Sequence, residues 1–225
     1  MGFTHLPHNK TIETHIEEYA ISSTTSTPNL REMRESDVPS ITRLWAAYSA
    51  RFTAALKFSE EETRHYFFSA RGSGSDDQPR RAGQTVWTYV VDDGAGGVSD
   101  FISFYALATS VLKYADKARA EGVKQSDLES TAGNHVLNAA YLFYYASNLG
   151  VGANVDEEKL ASRLRELVKD TLVIAARAGF DVLNCMTIMD NAAFLDDEAR
   201  ECKVRHLLVR KHGLTLSRNA FLLCR

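Results

Sequence analysis

Residues Ala175–Asp197 read AARAGFDVLNCMTIMDNAAFLDD, and this stretch decides the fold. A helix ends at Gly179, a residue suited to the left-handed close of a helix. An apolar strand, Phe180–Ile188, follows. Asn191 then opens a short helix, Asn191–Arg200, as Asn191-x-x-Phe194. Upstream, Asp156 is placed to cap a long helix whose stripe is Leu160, Leu164, Leu167, Val168, Thr171 and Ala175. A helix feeding a buried strand is the signature of an α/β layout.

Working outward, Asn148–Val155 is a glycine-rich connection and Val136–Ala146 a strand crowded with Tyr141, Phe143, Tyr144 and Tyr145. Gln84–Val91 and Val98–Leu107 read as a hairpin around the glycine-rich Asp92–Gly97. Nearer the start, Ser36 or Asp37 can cap a helix with Pro39 in its first turn. Its face is Val38, Ile41, Leu44, Trp45, Tyr48 and Phe52. Ser59 and Glu62 form a capping box for a second helix that carries Tyr66, Phe67 and Phe68. Thr11–Ile21 reads as a strand before a polar linker, and Val204–Val209 and Leu214–Leu223 as closing strands. The chain is expected to be one domain over residues 1–225, with loop inserts near 70–83 and 113–134. The first insert reads as a low-complexity, mobile loop. The architecture is α/β (α+β), a mostly antiparallel mixed sheet flanked by helices.

Composition narrows the function classes. The 225 residues carry 44% hydrophobic and 24% charged residues and a formal net charge of −3, ordinary for a soluble globular chain and a poor match to nucleic acid. Three cysteines, Cys185, Cys202 and Cys224, lack C-x-x-C spacing, which points to a reduced, cytoplasmic setting. No apolar run approaches the length of a membrane span. Seven histidines form neither H-E-x-x-H nor a Cys/His pattern, so no metal site is expected. Asp92–Gly97 enters a strand rather than a helix, so it is a turn and not a phosphate cradle. A glycine-rich turn for a CoA pyrophosphate at a helix N-terminus is absent. The tyrosine-rich strand fits a packed core, and it equally fits a groove that holds an extended peptide.

Five blocks, in order, resemble one family along most of the chain. They are Phe3-Thr-His-Leu-Pro-His-Asn-Lys-Thr, Leu30-Arg-Glu-Met-Arg-Glu-Ser-Asp-Val-Pro, Asp100-Phe-Ile-Ser-Phe-Tyr-Ala-Leu, Ala139-Ala140-Tyr141-Leu-Phe-Tyr and Gly179-Phe-Asp-Val-Leu-Asn-Cys-Met-Thr-Ile-Met-Asp-Asn. The chain is similar to the C-terminal, peptide-binding half of glycylpeptide N-tetradecanoyltransferase (protein N-myristoyltransferase), a GNAT-like acyltransferase fold. The resemblance implies transfer of myristate from myristoyl-CoA to the N-terminal glycine of nascent or cleaved proteins. It implies that this half binds no cofactor, and that myristoyl-CoA is a co-substrate held by an N-terminal half. It carries the peptide groove to Tyr105, Thr109, Leu137, Tyr141 and Asn184, and the catalytic base to the main-chain carboxylate of Arg225. The family's Gly-Asp-Gly loop has no counterpart here, where Asp196-Asp-Glu-Ala-Arg-Glu-Cys stands instead. A non-catalytic peptide-binding module, or a half that requires an acyl-CoA-binding partner, is the alternative.

Overall fold

The computed structural model describes residues 21–75, 78–111, 135–186, 188–193 and 204–208. The expected strands at 11–21 (apart from Ile21) and 214–223, the insert at 113–134 and Arg225 lie outside the described residues. Elements in chain order are β1 (Leu30–Glu32), α1 (Val38–Ser49), α2 (Glu60–Thr63) with its continuation Arg64–Ser69, β2 (Val86–Asp92), β3 (Val98–Val111), β4 (His135–Ser147), α3 (Glu157–Arg177), β5 (Val182–Met186) and β6 (Val204–Leu208). One six-stranded sheet runs β1-β2-β3-β4-β5-β6. All pairings are antiparallel except β4 with β5. Parallel neighbours need a crossover, and α3 supplies it.

Local chemistry explains the helices. Asp156 accepts from Lys159 N at 3.1 Å and so caps α3 as its sequence position predicts. At the other end Gly179 takes φ +82°, a conformation that glycine adopts without a Cβ penalty. Phe180 N then donates to Ala175 O at 3.0 Å, closing the last turn. Ser59 and Glu62 form the reciprocal box, with Glu62 N to Ser59 Oγ at 3.2 Å and Ser59 N to Glu62 Oε2 at 2.8 Å. Asp37 departs from its expected role. Its side chain makes no capping bond to α1. It accepts from Arg34 N at 2.7 Å and pairs with both terminal nitrogens of Arg31, at 2.7 and 3.0 Å.

Two packed clusters hold the sheet. One gathers Ile41, Leu44, Trp45 and Tyr48 of α1 with Phe67, Val90, Phe101, Tyr145 and Leu160, Leu164 and Leu167 of α3. The other gathers Trp87, Phe104, Ala140 and Leu183 with Ile174, Ala175 and Phe180. In the second, Trp87 stacks on Phe104 at 5.4 Å and Phe180 meets both edge-on. Arg163 ties α3 to β3 through Asp100, at 2.9 Å.

The 70–83 segment is more than a loop. Ser73 and Ala82 form a β-bridge. Arg81 is buried, bonds Arg71 O at 2.8 Å and pairs with Glu32 of β1. Arg80 lies over the rings of Trp87 and Phe180, at 5.7 and 5.1 Å. Arg81 turns inward to the carboxylate that β1 offers, while the exposed Arg80 covers Trp87 of β2 and Phe180 ahead of β5.

Candidate functional site

Register brings three of the expected groove residues into one row. Tyr105 of β3 pairs with Tyr141 of β4, and Tyr141 pairs with Asn184 of β5. Residues directly opposite in neighbouring strands stand side by side on one face. The two tyrosine rings accordingly stack, with centroids 5.6 Å apart and planes 20° apart. Both rings are half-buried, whereas Asn184 is buried. Burial pushes the Tyr105 phenol above its ordinary pKa, and neighbouring Tyr141 adds to the shift. The Tyr105 phenol is therefore a neutral group near neutral pH, able to donate a hydrogen bond but not to act as a base.

Thr109 and Leu137 are also register partners. They sit four residues beyond Tyr105 and four before Tyr141, about 13 Å along the same two strands. Five expected residues thus fall on three adjacent strands. Arg225, the expected base, lies outside the described residues.

A bulge shapes the row. Ile102 pairs with Tyr145 and Phe104 with Leu142, so Ser103 alone faces Phe143 and Tyr144. Ser103 Oγ donates to Tyr144 O at 2.7 Å and accepts from Tyr144 N at 3.1 Å, which fills the gap in the ladder. Adjacent strand residues normally point to opposite faces. Here the extra residue brings the rings of Phe143 and Tyr144 within 4.5 Å of each other. Phe143 then meets Tyr105 edge-on at 5.4 Å, and Tyr144 meets Trp45 of α1 at 4.9 Å. Tyr105, and Tyr141 stacked on it, are thereby braced against the core.

Beyond Tyr105 the wall continues into a cavity. After α2 the chain widens into a π-helical turn, Arg64–Ser69, where a regular helix was expected. That turn sets His65, Tyr66 and Ser69 around a cavity of about 500 Å³ whose other walls include Val86, Tyr105 and Phe143.

A second polar cluster was not foreseen. The buried Tyr48 hydroxyl donates to Asp190, and the buried Tyr145 hydroxyl donates to Asn191 Oδ1 at 2.6 Å. Asp190 N returns a bond to the Tyr145 oxygen at 3.1 Å, and Asn191 Nδ2 donates to Met186 O at 2.5 Å. Burial drives both phenols upward in pKa, so both remain proton donors. Arg51 of the chain just past α1 pairs with Glu157 at 2.7 Å and approaches Asp190 at 3.6 Å. The cluster ties α1 and β4 to the turn that follows Asn184's strand. Asn191 lies in a 3-10 turn, Asn191–Ala193. It bridges rather than merely opening a helix. Its one sequence signal was the Met189-Asp190-Asn191 triplet; Tyr48 sat on the apolar face of its helix, and Tyr145 lay in the aromatic cluster that fitted either a core or a groove.

Among the described residues no helix is long and apolar enough to cross a membrane. Three comparisons bear on identity. A solved structure of Saccharomyces cerevisiae N-myristoyltransferase with bound myristoyl-CoA superposes with a TM-score of 0.68 at 30% identity, covering 86% of this chain and 40% of that one. Among curated relatives, the glycylpeptide N-tetradecanoyltransferase of Neurospora crassa is 31% identical over 198 residues, covering 88% of this chain and 31% of the relative. That of Schizosaccharomyces pombe is 34% identical over 203 residues, covering 88% of this chain and 38% of the relative. The chain therefore spans between about three and four tenths of the length of these relatives. The family model described as myristoyl-CoA:protein N-myristoyltransferase, C-terminal domain, matches residues 1–121 and 124–204. With that match laid over a six-stranded mixed sheet and its row of tyrosines, the chain belongs to the myristoyl-CoA:protein N-myristoyltransferase family, in the part of it that makes the C-terminal domain.

Proposed function

We propose that this chain supplies the acceptor-peptide groove for transfer of myristate from myristoyl-CoA to an N-terminal glycine. The observation that carries the reading is the row Tyr105–Tyr141–Asn184 across β3, β4 and β5. Stiff aromatic rings with polar tips suit a peptide groove: they present flat apolar area to the chain and hydrogen-bond groups to its amides. Leu107, Met186 and Ile188, near the row on the same strands or just past them, are each about half exposed. Apolar side chains left open in this way support a face that another surface covers, and an acyl-CoA-binding half is the partner this reading requires. Thr109 and Leu137 extend the groove along β3 and β4.

In the same reading the main-chain carboxylate of Arg225 takes the proton from the glycine ammonium. An α-carboxylate titrates near ~3.5 and an α-amine near ~8, so the transfer in water is uphill by roughly 6 kcal/mol. Burying the amine disfavours its charged form and narrows that gap. A carboxylate within hydrogen-bond reach accepts that proton first, and the neutral amine so formed attacks the thioester carbonyl. The C–N bond of the amide forms as the thioester C–S bond breaks, and the second proton of the amine passes to the departing sulfur, so that CoA leaves as its thiol.

The test is direct. The chain, alone and mixed with an acyl-CoA-binding half, is incubated with myristoyl-CoA and a Gly-Ser-initiated peptide. Thiol release with acylated peptide in either mixture supports the transferase role. Peptide binding without thioester cleavage in both mixtures would instead establish the non-catalytic module. Adding one residue after Arg225 should abolish turnover, and retained turnover would remove Arg225 from the mechanism.

A further inference from the structure

We infer that the groove has an additional pocket, on the far side of Tyr105 from Tyr141, that accepts an apolar side chain of the acceptor peptide. Resting on the peptide-groove reading above, it follows the same register one strand further. Val86 of β2 pairs with Tyr105, so the row Asn184–Tyr141–Tyr105 continues to Val86, which is one wall of the cavity of about 500 Å³. From Asn184 to Val86 the row crosses three interstrand spacings, roughly 14 Å, which an extended peptide covers in about four residues. A peptide laid across the strands at Asn184 therefore reaches the cavity about four residues later.

The lining selects the occupant. It comprises His65, Tyr66, Val86, Tyr105 and Phe143 with small neighbours, and no Asp, Glu, Lys or Arg. The Ser69 hydroxyl is already bonded to Arg64 O at 3.1 Å. A charged side chain entering there would lose hydration with no Asp, Glu, Lys or Arg to pair with it. An aromatic or branched aliphatic one would bury apolar area against three rings. The volume lies within the ordinary range for a ligand pocket, roughly 300–1,000 Å³.

The cavity is also pre-formed. Ala70 O accepts from Thr85 N at 3.0 Å and from Val86 N at 3.2 Å, which fastens the end of the π turn to the start of β2. Phe143 is fixed by the Ser103 bulge. A wall held by such bonds costs little ordering when a side chain enters.

The experiment uses the full chain and Gly-Ser-initiated octapeptides in which Phe, Ala or Asp is scanned through positions three to eight. Binding is read by fluorescence anisotropy. One position should favour Phe over Ala by about tenfold and disfavour Asp. Ser69→Trp, which fills the cavity from its exposed rim, should bring the Phe-to-Ala ratio at that position to about one. Thr85→Phe, on the opposite rim, should do the same and serves if the first variant folds poorly. A flat scan in a chain that binds the Ala peptide overturns the pocket and leaves the groove standing, as does a Phe preference that survives both filled variants. Binding of no peptide at all overturns the groove, and the pocket with it.

Discussion

Ser103 grips Tyr144 by both ends of its backbone, donating to the carbonyl at 2.7 Å and accepting from the amide at 3.1 Å. The two bonds stand in for ladder bonds that the bulge removes. Ser103 is fully buried and Tyr144 half-buried. Ser103→Ala should leave two main-chain groups without partners and destabilise the chain by about 1–3 kcal/mol. Urea titration measures this. Because Phe143 and Tyr144 owe their shared face to the bulge, near-ultraviolet circular dichroism should change as well. A variant with unaltered midpoint and aromatic signal would mean that the hydroxyl is incidental.

Tyr105 and Tyr141 form a second structural pair, the one on which the groove proposal rests. Their stacked rings predict a coupling energy of about 0.5–1.5 kcal/mol in a double-mutant cycle with leucine at each position, measured as folding stability. Phenylalanine at either position retains the ring and should keep most of that coupling. Peptide affinity should respond differently: Tyr141→Phe removes a polar tip and should weaken binding several-fold while stability stays nearly constant. Additive single variants would show that the stack contributes nothing beyond burial.

How far these relationships could be read from the sequence depends on their range. The cap at Asp156, the box at Ser59 and Glu62 and the left-handed Gly179 involve residues three to five apart, where local propensity carries the signal. The hairpin of β2 and β3 followed from the same local reading, whereas the parallel pairing of β4 with β5 across α3 did not. The tyrosine row is different. Naming Tyr105, Tyr141 and Asn184 came from family resemblance; setting them side by side needs the register of three strands, one of them shifted at Ser103. The π turn at Arg64–Ser69 has no residue signature of its own, so the cavity beyond Tyr105 was invisible. Asp37 illustrates competition: it occupies a cap position, yet Arg31, six residues upstream, offers a charged partner that a backbone amide does not match.

That contest at Asp37 has a pH consequence. Burial opposes its charge, but the Arg31 guanidinium and the Arg34 amide outweigh burial and hold the carboxyl below the ordinary carboxylate range. A group whose folded pKa is depressed stabilises the fold above its unfolded pKa, about 3.9 for aspartate. Its contribution is lost as pH falls from there through the folded value. The wild-type chain should thus lose stability on acidification below about pH 4 more steeply than Asp37→Asn, measured as the urea midpoint across pH 2.5 to 6. Parallel curves for the two proteins would refute the linkage.

The pair Arg81–Glu32 sets two opposing expectations against each other. The Arg81 side chain is 2% exposed and that of Glu32 21%, with Arg81 Nη1 at 2.9 Å from Glu32 Oε2. Two charges drawn from water recover their hydration only through good geometry, so the pair as a whole adds little stability. Removing one member is another matter. Arg81→Met strands the Glu32 carboxylate beside β2 and removes the bond to Arg71 O, and should cost about 3–5 kcal/mol. Arg81→Met combined with Glu32→Leu removes both charges and should recover most of that loss. The cavity beside them, lined by Gln84, Trp87 and Arg177, can admit water to the Glu32 carboxylate, which places the single-variant cost toward the lower end. Thermal and urea unfolding of the three proteins decide the matter: a double variant no more stable than Arg81→Met would show that this pair, unlike most buried pairs, is itself a net source of stability that anchors residues 70–83 to β1.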